Sequence, residues 1–270
     1  QSYINLRNNY GVPLWMGESG ENSNHWYYEV FKLLEENNIG WNFWTHKKVD
    51  KITSPYSALV TPQYQVIIDY LRGVAGQPDP NIAGMGLTSF ANSLKIENCI
   101  TRPGVIASLT DPDYGEISKP YASHSIPGTI PAAYYDIGAR GLSYSDSDYW
   151  NDGDGGYNDG WVFRNDGVDV EGSDDDPNIP YTVGWTEAGE WLGYTIEDVL
   201  PGTYDVSFSI SAPNAGGIFY AQLSGQNLGV TDVPSTGGWY NWEDIPSQRI
   251  EITEGEKFLK IQIVQAGFNI

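Results

Sequence analysis

Two hydrophobic rhythms divide this 270-residue chain. Through residue 75, short apolar runs alternate with stretches of helical spacing. Val12–Gly17 is such a run, and it ends at a carboxylate, Glu18, in the loop Glu18-Ser19-Gly20-Glu21-Asn22. Ser23 and Asn24 are suited to cap a helix. Trp26, Val30, Phe31, Leu33 and Leu34 then recur at its spacing. Gly40–Trp44 predicts a second buried strand, followed by Thr45-His46-Lys47-Lys48, and Pro62 opens another amphipathic helix through Val66, Ile67, Tyr70 and Leu71. Strands alternating with helices in this way predict parallel βα units. Ala83–Leu94 predicts a further short helix. Asp111–Ser125 has no period and is rich in Pro, Asp, Ser and Tyr, so it reads as a linker.

Beyond the linker the period becomes two. Tyr204, Val206, Phe208 and Ile210 alternate with Asp205, Ser207 and Ser209, and Leu259, Ile261 and Ile263 alternate with Lys260 and Gln262. Short strands punctuated by Pro-Gly, Ser-Gly and Glu-Gly turns predict an antiparallel sandwich. Asp146–Asp159 reads as an exposed loop. Trp185 and Trp191, embedded in strand-like runs, read as core. Trp239 sits beside two glycines and reads as a ligand contact, while Trp242 fits either role.

Composition sharpens this picture. Aromatic residues make up 14% of the chain, with 10 Trp and 19 Tyr, more than two cores need to bury. Exposed aromatics pay when they cover something flat and partly apolar, and the C–H face of a sugar ring is such a surface. The net charge is −21. Residues 1–127 hold 9 basic and 12 acidic groups; residues 128–270 hold 5 and 23. That surface repels nucleic acid and anionic membrane, so neither is an expected partner. Cys99 is alone, which rules out an intrachain disulfide, and no apolar run reaches membrane-spanning length. The chain opens at Gln1 inside a patterned segment and reads as a piece of something longer.

Seven motifs in order, Ile126-Pro127-Gly128, Asp166–Glu171, Val183-Gly184-Trp185, Ala188–Leu192, Pro201–Tyr204, Thr236–Trp239 and Gly267-Phe268-Asn269, resemble carbohydrate-binding module family 6 over residues 126–270. The resemblance implies a jelly-roll β-sandwich with a loop-end cleft of two aromatics and an Asn. Its matching positions are Phe163, Trp239 or Trp242, and Asn269. It also implies a structural calcium site. The matching run, Ile130-Pro131-Ala132-Ala133, lacks both carboxylates, so no metal ligand is assigned. The acidic run Asp174-Asp175-Asp176 reads as a solvated loop rather than a metal site.

In the first half, Val12–Asn22 followed by Gly40–Lys48 resembles glycoside hydrolase family 5. By that resemblance residues 1–110 are the last two βα units of a (β/α)8 barrel. Glu18 is then the nucleophile of a retaining hydrolase, Trp44 the floor beneath the reacting sugar, and Asn22, His46 and Lys47 substrate contacts. Glu21 is a rival nucleophile deeper in the loop. The acid/base carboxylate falls on a strand this chain does not contain, so residues 1–110 are expected to be inactive and unstable alone, without the rest of the barrel as a separate polypeptide or upstream sequence. The expected whole is a multidomain bacterial protein, secreted or cell-surface, of endo-1,4-β-glucanase type, in which the module targets plant cell-wall polysaccharide: β-glucan, cellulose or xylan. Mannanase, xylanase or a non-catalytic binding protein with a barrel remnant are the alternatives. Catalysis of this kind needs no cofactor.

Overall fold

The computed structural model describes residues 2–153, 156–173 and 179–270; Asp174–Asp176 lie outside the described residues. The chain divides into two compact units, Gln1–Glu21 with Leu33–Ile106, and Asn22–Lys32 with Ala107–Ile270.

In the first unit, α1 (Ser2–Tyr10) precedes β1 (Trp15–Ser19). The chain then passes through α2 (Asn24–Glu36) to β2 (Gly40–Phe43), which pairs parallel with β1 in the register Trp15↔Gly40 and Met16↔Trp41. This is the expected parallel pairing of the two strands. A barrel does not form among the described residues. β3 (Lys47–Val49), β4 (Tyr56–Ala58) and β5 (Ile100–Thr101) instead make a separate small sheet. Of β1 only Ser19 is even half-buried, and Trp15 is 67% exposed. Between β4 and β5 run α3 (Pro62–Leu71), capped by Thr61, and α4 (Pro80–Ser93), capped by Asp79. The two helices meet where Tyr64 stacks on Phe90 at 4.2 Å. Gly86 permits the approach, because a side chain there would run into the Gln63 backbone. α5 (Pro103–Thr110) follows. Among the described residues no helix is long and apolar enough to cross a membrane.

The second unit is a β-sandwich. Its smaller strands are β6 (Ser125–Ile126), β7 (Tyr144–Ser145), β8 (Val170–Gly172) and β9 (Tyr181–Val183). They are followed by β10 (Trp191–Ile196), β11 (Asp198–Val199), β12 (Gly202–Ala212), β13 (Ile218–Leu223), β14 (Gln226–Asp232), β15 (Gly238–Ile252) and β16 (Lys257–Gln265). One sheet has the antiparallel order β14-β13-β16-β10-β7; β12 and β15 pair to make a second layer. The period-two residues close the sandwich: Phe208 and Ile210 of β12 pack with Phe219, Ala221, Ile261 and Ile263 from the other sheet. A cavity of about 610 Å³ lies among these side chains, bordered by Tyr194, Ile196, Phe208 and Trp242.

The predicted linker is not one. Tyr114 is 1% exposed, Lys119 exchanges backbone hydrogen bonds with Ile137, and the Ser118 hydroxyl donates to buried Asp136 at 2.9 Å. Residues 22–32 are built into the same unit. Asn24 Nδ2 donates to Asp166 at 2.6 Å, Asn24 N donates to Asn165 O, and Asn165 Nδ2 donates to Asn22 O at 2.7 Å. Asp166 is also ion-paired with buried Arg164 at 2.8 Å, whose guanidinium lies 3.7 Å over the Tyr135 ring.

Candidate functional site

At one end of the sandwich, loops from four parts of the unit converge on an open cleft of about 340 Å³. Trp185 and Trp239 flank it, 49% and 46% exposed, and Asp148, Asp159, Asp169 and Glu187 line it with carboxyl groups. The backbone explains the exposure of Trp185. β9 ends at Val183, Gly184 N donates to Asp169 O, and Trp185 turns through a left-handed φ of 45°. Thr186 then ties the loop to Phe268 O at 3.2 Å, and the Glu187 N–H is received by Glu190 at 2.8 Å. Trp239 enters from the start of β15, and its carbonyl is held by the hydroxyl of fully buried Ser211 and by Asn269 Nδ2 at 3.1 Å.

The carboxylates are strained electrostatically. Burial pushes Asp169 up to about 8, partly offset by the Asp159 N–H it accepts. Burial also raises Glu190, against the opposing Glu187 and Ser147 N–H donors. Behind them, burial followed by repulsion from Glu190 pushes Asp146 up to about 10. Ligand atoms of Asp146, Asp148 and Glu190 lie within 4.8 Å of one another. Three carboxylates by themselves fall short of the six to eight oxygens calcium takes.

The predicted sites separate under this geometry. Trp239 lines the cleft. Asn269 is 4% exposed, with Nδ2 spent on Trp239 O and Glu171; it positions the cleft from below. Trp242 faces the inter-sheet cavity instead. Phe163 does not line this cleft; it stacks on Tyr181 at 4.2 Å and Tyr134 at 5.4 Å against the core. Trp185, expected in the core, is the second wall of the cleft, a correction caused by the turn at Gly184. Trp191 is half-buried beneath the Lys260 ammonium, 4.0 Å from its ring. The signal for Trp185 was local: a strand that stops at Gly184 followed by Glu-Ala-Gly marks a loop, and loop aromatics are free to face solvent.

In the first unit Glu18 is exposed at the C-terminal end of β1, and Trp44 is 48% exposed just beyond β2. Trp44 N donates to Ser19 O at 2.9 Å, which places both at neighbouring strand ends; the Trp44–Thr45 peptide is cis. His46 is exposed, and Lys47 Nζ is turned to Leu94 O at 2.5 Å. Glu21 pairs with Lys48. Asn22, expected in the hydrolase site, is 6% exposed and bonded to the Asn151 backbone through both amide atoms, as part of the second unit.

A sandwich with an aromatic-walled, carboxylate-lined loop cleft is the build of a module that holds sugar rings. Residues 164–270 match the family model described as Carbohydrate binding module (family 35). That match supports a carbohydrate-binding module over this stretch. Among curated proteins, the clotting factor G alpha subunit of Tachypleus tridentatus is 34% identical over 85 residues, 30% of this chain; the chain spans 12% of that protein's length. Similar solved structures include the C-terminal family 6 module of a laminarinase from Zobellia galactanivorans, 28% identical over 38% of this chain and 82% of that one, TM-score 0.34. A family 6 module of Cellvibrio mixtus lichenase 5A in complex with cellotriose is 25% identical over 38% and 80%, TM-score 0.33.

Proposed function

We propose that residues 22–32 and 107–270 bind a neutral polysaccharide chain, a β-glucan, in the cleft between Trp185 and Trp239, and target an extracellular polysaccharide-acting protein to it. The observation that carries this is the pair of half-exposed indoles on a cleft edged by acceptors. Covering one sugar face removes about 50–100 Å² of apolar surface from water, worth roughly 1–3 kcal/mol. The carboxylates receive the hydroxyls that edge the ring. Affinity electrophoresis in laminarin, lichenan, hydroxyethylcellulose and xylan tests it. Retardation by at least one polymer is expected, and both Trp185→Ala and Trp239→Ala abolish it. No retardation of the wild type by any of them would sink the reading.

A second reading rests on Glu18 and Trp44 at adjacent parallel strand ends, joined through Trp44 N and Ser19 O. There Glu18 serves as the nucleophile of a retaining glycoside hydrolase. Such chemistry needs a second carboxylate about 5–5.5 Å away, which another part of the protein would supply. Residues 1–270 alone should give no turnover of β-glucan. Activity in this chain that survives Glu18→Ala would overturn the assignment.

A further inference from the structure

We infer that His25 is a pH-sensitive clasp: neutral, it fastens residues 22–32 to the module through a hydrogen bond that its protonated form cannot accept, so that mild acid lets this segment go. His25 lies in the first turn of α2 and is 9% exposed. Its Nδ1 accepts the backbone N–H of Arg140 at 3.3 Å, across 115 positions of sequence. Its Nε2 faces a Glu29 carboxylate oxygen, also at 3.3 Å. One ring nitrogen accepts and the other donates, which is the arrangement of a neutral imidazole. A second proton must go to Nδ1, where it meets an N–H instead of a lone pair. The bond to Arg140 is then lost, and two donors are left facing each other.

The groups around the ring decide how readily that proton is taken. Burial holds His25 below the ordinary imidazole value of 6.5; Glu29 and Asp166 oppose that shift, and the Arg140 guanidinium reinforces it. Arg140 is itself fixed, because its Nε donates to Asp146 O at 2.6 Å. Its guanidinium lies 4.5 Å over the Tyr149 ring, and His25 packs on that same ring at 5.2 Å. Tyr28 stacks near the imidazole at 6.3 Å. The Glu29 side chain is 54% exposed, so water screens its attraction for an imidazolium. With the folded value below the unfolded one, a released segment takes up the proton first. Docking is therefore complete at neutral pH and weakens as pH falls from about 6.5 toward the folded value.

His25 stands among the other fastenings of the segment. Asn24 N donates to Asn165 O at 2.8 Å, Asn151 N donates to Asn22 Oδ1 at 2.8 Å, and Tyr28 meets Tyr114 at 5.3 Å. All of these fall within the same short stretch as His25, so they open and close with it as one local unit.

Amide hydrogen exchange of the full chain tests the clasp, read at Asn24, Arg140 and Asn151, whose N–H groups bond across this contact. Rates are corrected for the intrinsic pH dependence of exchange. In the wild type, lowering the pH from about 7.5 to about 5 should speed exchange at all three about tenfold or more, while the amides of β12 and β16 stay protected. His25→Asn keeps an acceptor near the place of Nδ1 and cannot take the proton. Its exchange at the three amides should match neutral wild type and stay level in acid. Glu29→Gln keeps His25 but removes a group that favours its charged form, so release should begin at lower pH than in the wild type. Equal acid-induced exchange in wild type and His25→Asn would overturn the clasp and assign the effect to the module's carboxyl groups. Absence of any acid-induced exchange in the wild type would overturn it as well. If His25→Asn is already open at neutral pH, Glu29→Gln decides: a release point that moves down upholds the clasp, and one that stays put ends it.

Discussion

Asp146 is a buried carboxyl group set among other carboxylates. It is 3% exposed, faces Glu190 and Asp148, and keeps its proton until about pH 10. Its folded value lies above its unfolded one, so its contribution to stability is whole below about pH 4 and is lost as pH rises toward 10. Asp146→Asn keeps the acceptor for the Asp148 N–H, seen at 3.2 Å, and removes the proton equilibrium. The variant should melt close to wild type at pH 4 and higher by a few degrees, roughly 3–5 °C, at pH 8. A gap that is constant across pH, measured by calorimetry, would show that burial of Asp146 is not coupled to folding. Asn269 makes a different residue-scale case. Asn269→Ala strips a donor from the Trp239 carbonyl and Glu171, at a cost of roughly 1–3 kcal/mol. It should lower both melting temperature and sugar affinity, the latter less than Trp239→Ala, when the two are titrated side by side. At this scale the sequence was half-readable: glycines around Trp239 advertised a loop, whereas Trp185 follows an apolar strand-like run, and the stop at Gly184 with Glu-Ala-Gly after it is the local sign that it leaves the strand.

Among elements, the long strands were the most legible, because β12 and β16 each present an alternating face to one core and no other arrangement buries it. The segment 111–125 was misread for a physical reason. Its buried groups, Tyr114 and Ser118, are satisfied by residues far along the chain, and Pro and Asp content carries no trace of such partners. The start of α2 stands where its caps predict, but its grouping with the second unit was not legible for the same reason. Its helical period was plain, but its affiliation is fixed by amides and carboxylates, Asn24 with Asp166 and Asn165, rather than by apolar spacing. Those atoms are buried, so losing a partner is expensive. Asn24→Ala leaves Asp166 and Asn165 each short of one bond and should destabilise the sandwich by roughly 1–3 kcal/mol, read as a lower melting temperature. Residues 107–270 expressed alone should be less stable than the same residues in the full chain, by differential scanning calorimetry. Equal stability would show that residues 22–32 sit on the module without supporting it.

Charge acts at the level of the whole molecule. With 35 acidic and 14 basic side chains, most of the excess lies in residues 128–270, the same stretch that carries the cleft. Among the described residues the cleft lining contains four carboxyl groups and no basic side chain. A uronate bound there would bring like charges to within a few ångströms, at about 1 kcal/mol per pair even in water and more where the site is dried. Neutral glucans meet no such barrier, and their hydroxyls find acceptors. Polygalacturonate and alginate should therefore fail to retard the protein at low salt, while a neutral glucan that binds should do so almost equally at about 10 and 500 mM NaCl. Raising salt screens the repulsion from the surface at large but not contacts inside the cleft. Uronate polymers should then stay unbound at 500 mM, whereas replacing Asp148 and Glu187 by Asn and Gln should begin to admit them. Binding of polygalacturonate to the unaltered protein would mean that the carboxylates do not face the ligand, and with it the assignment of this cleft to neutral chains would fail.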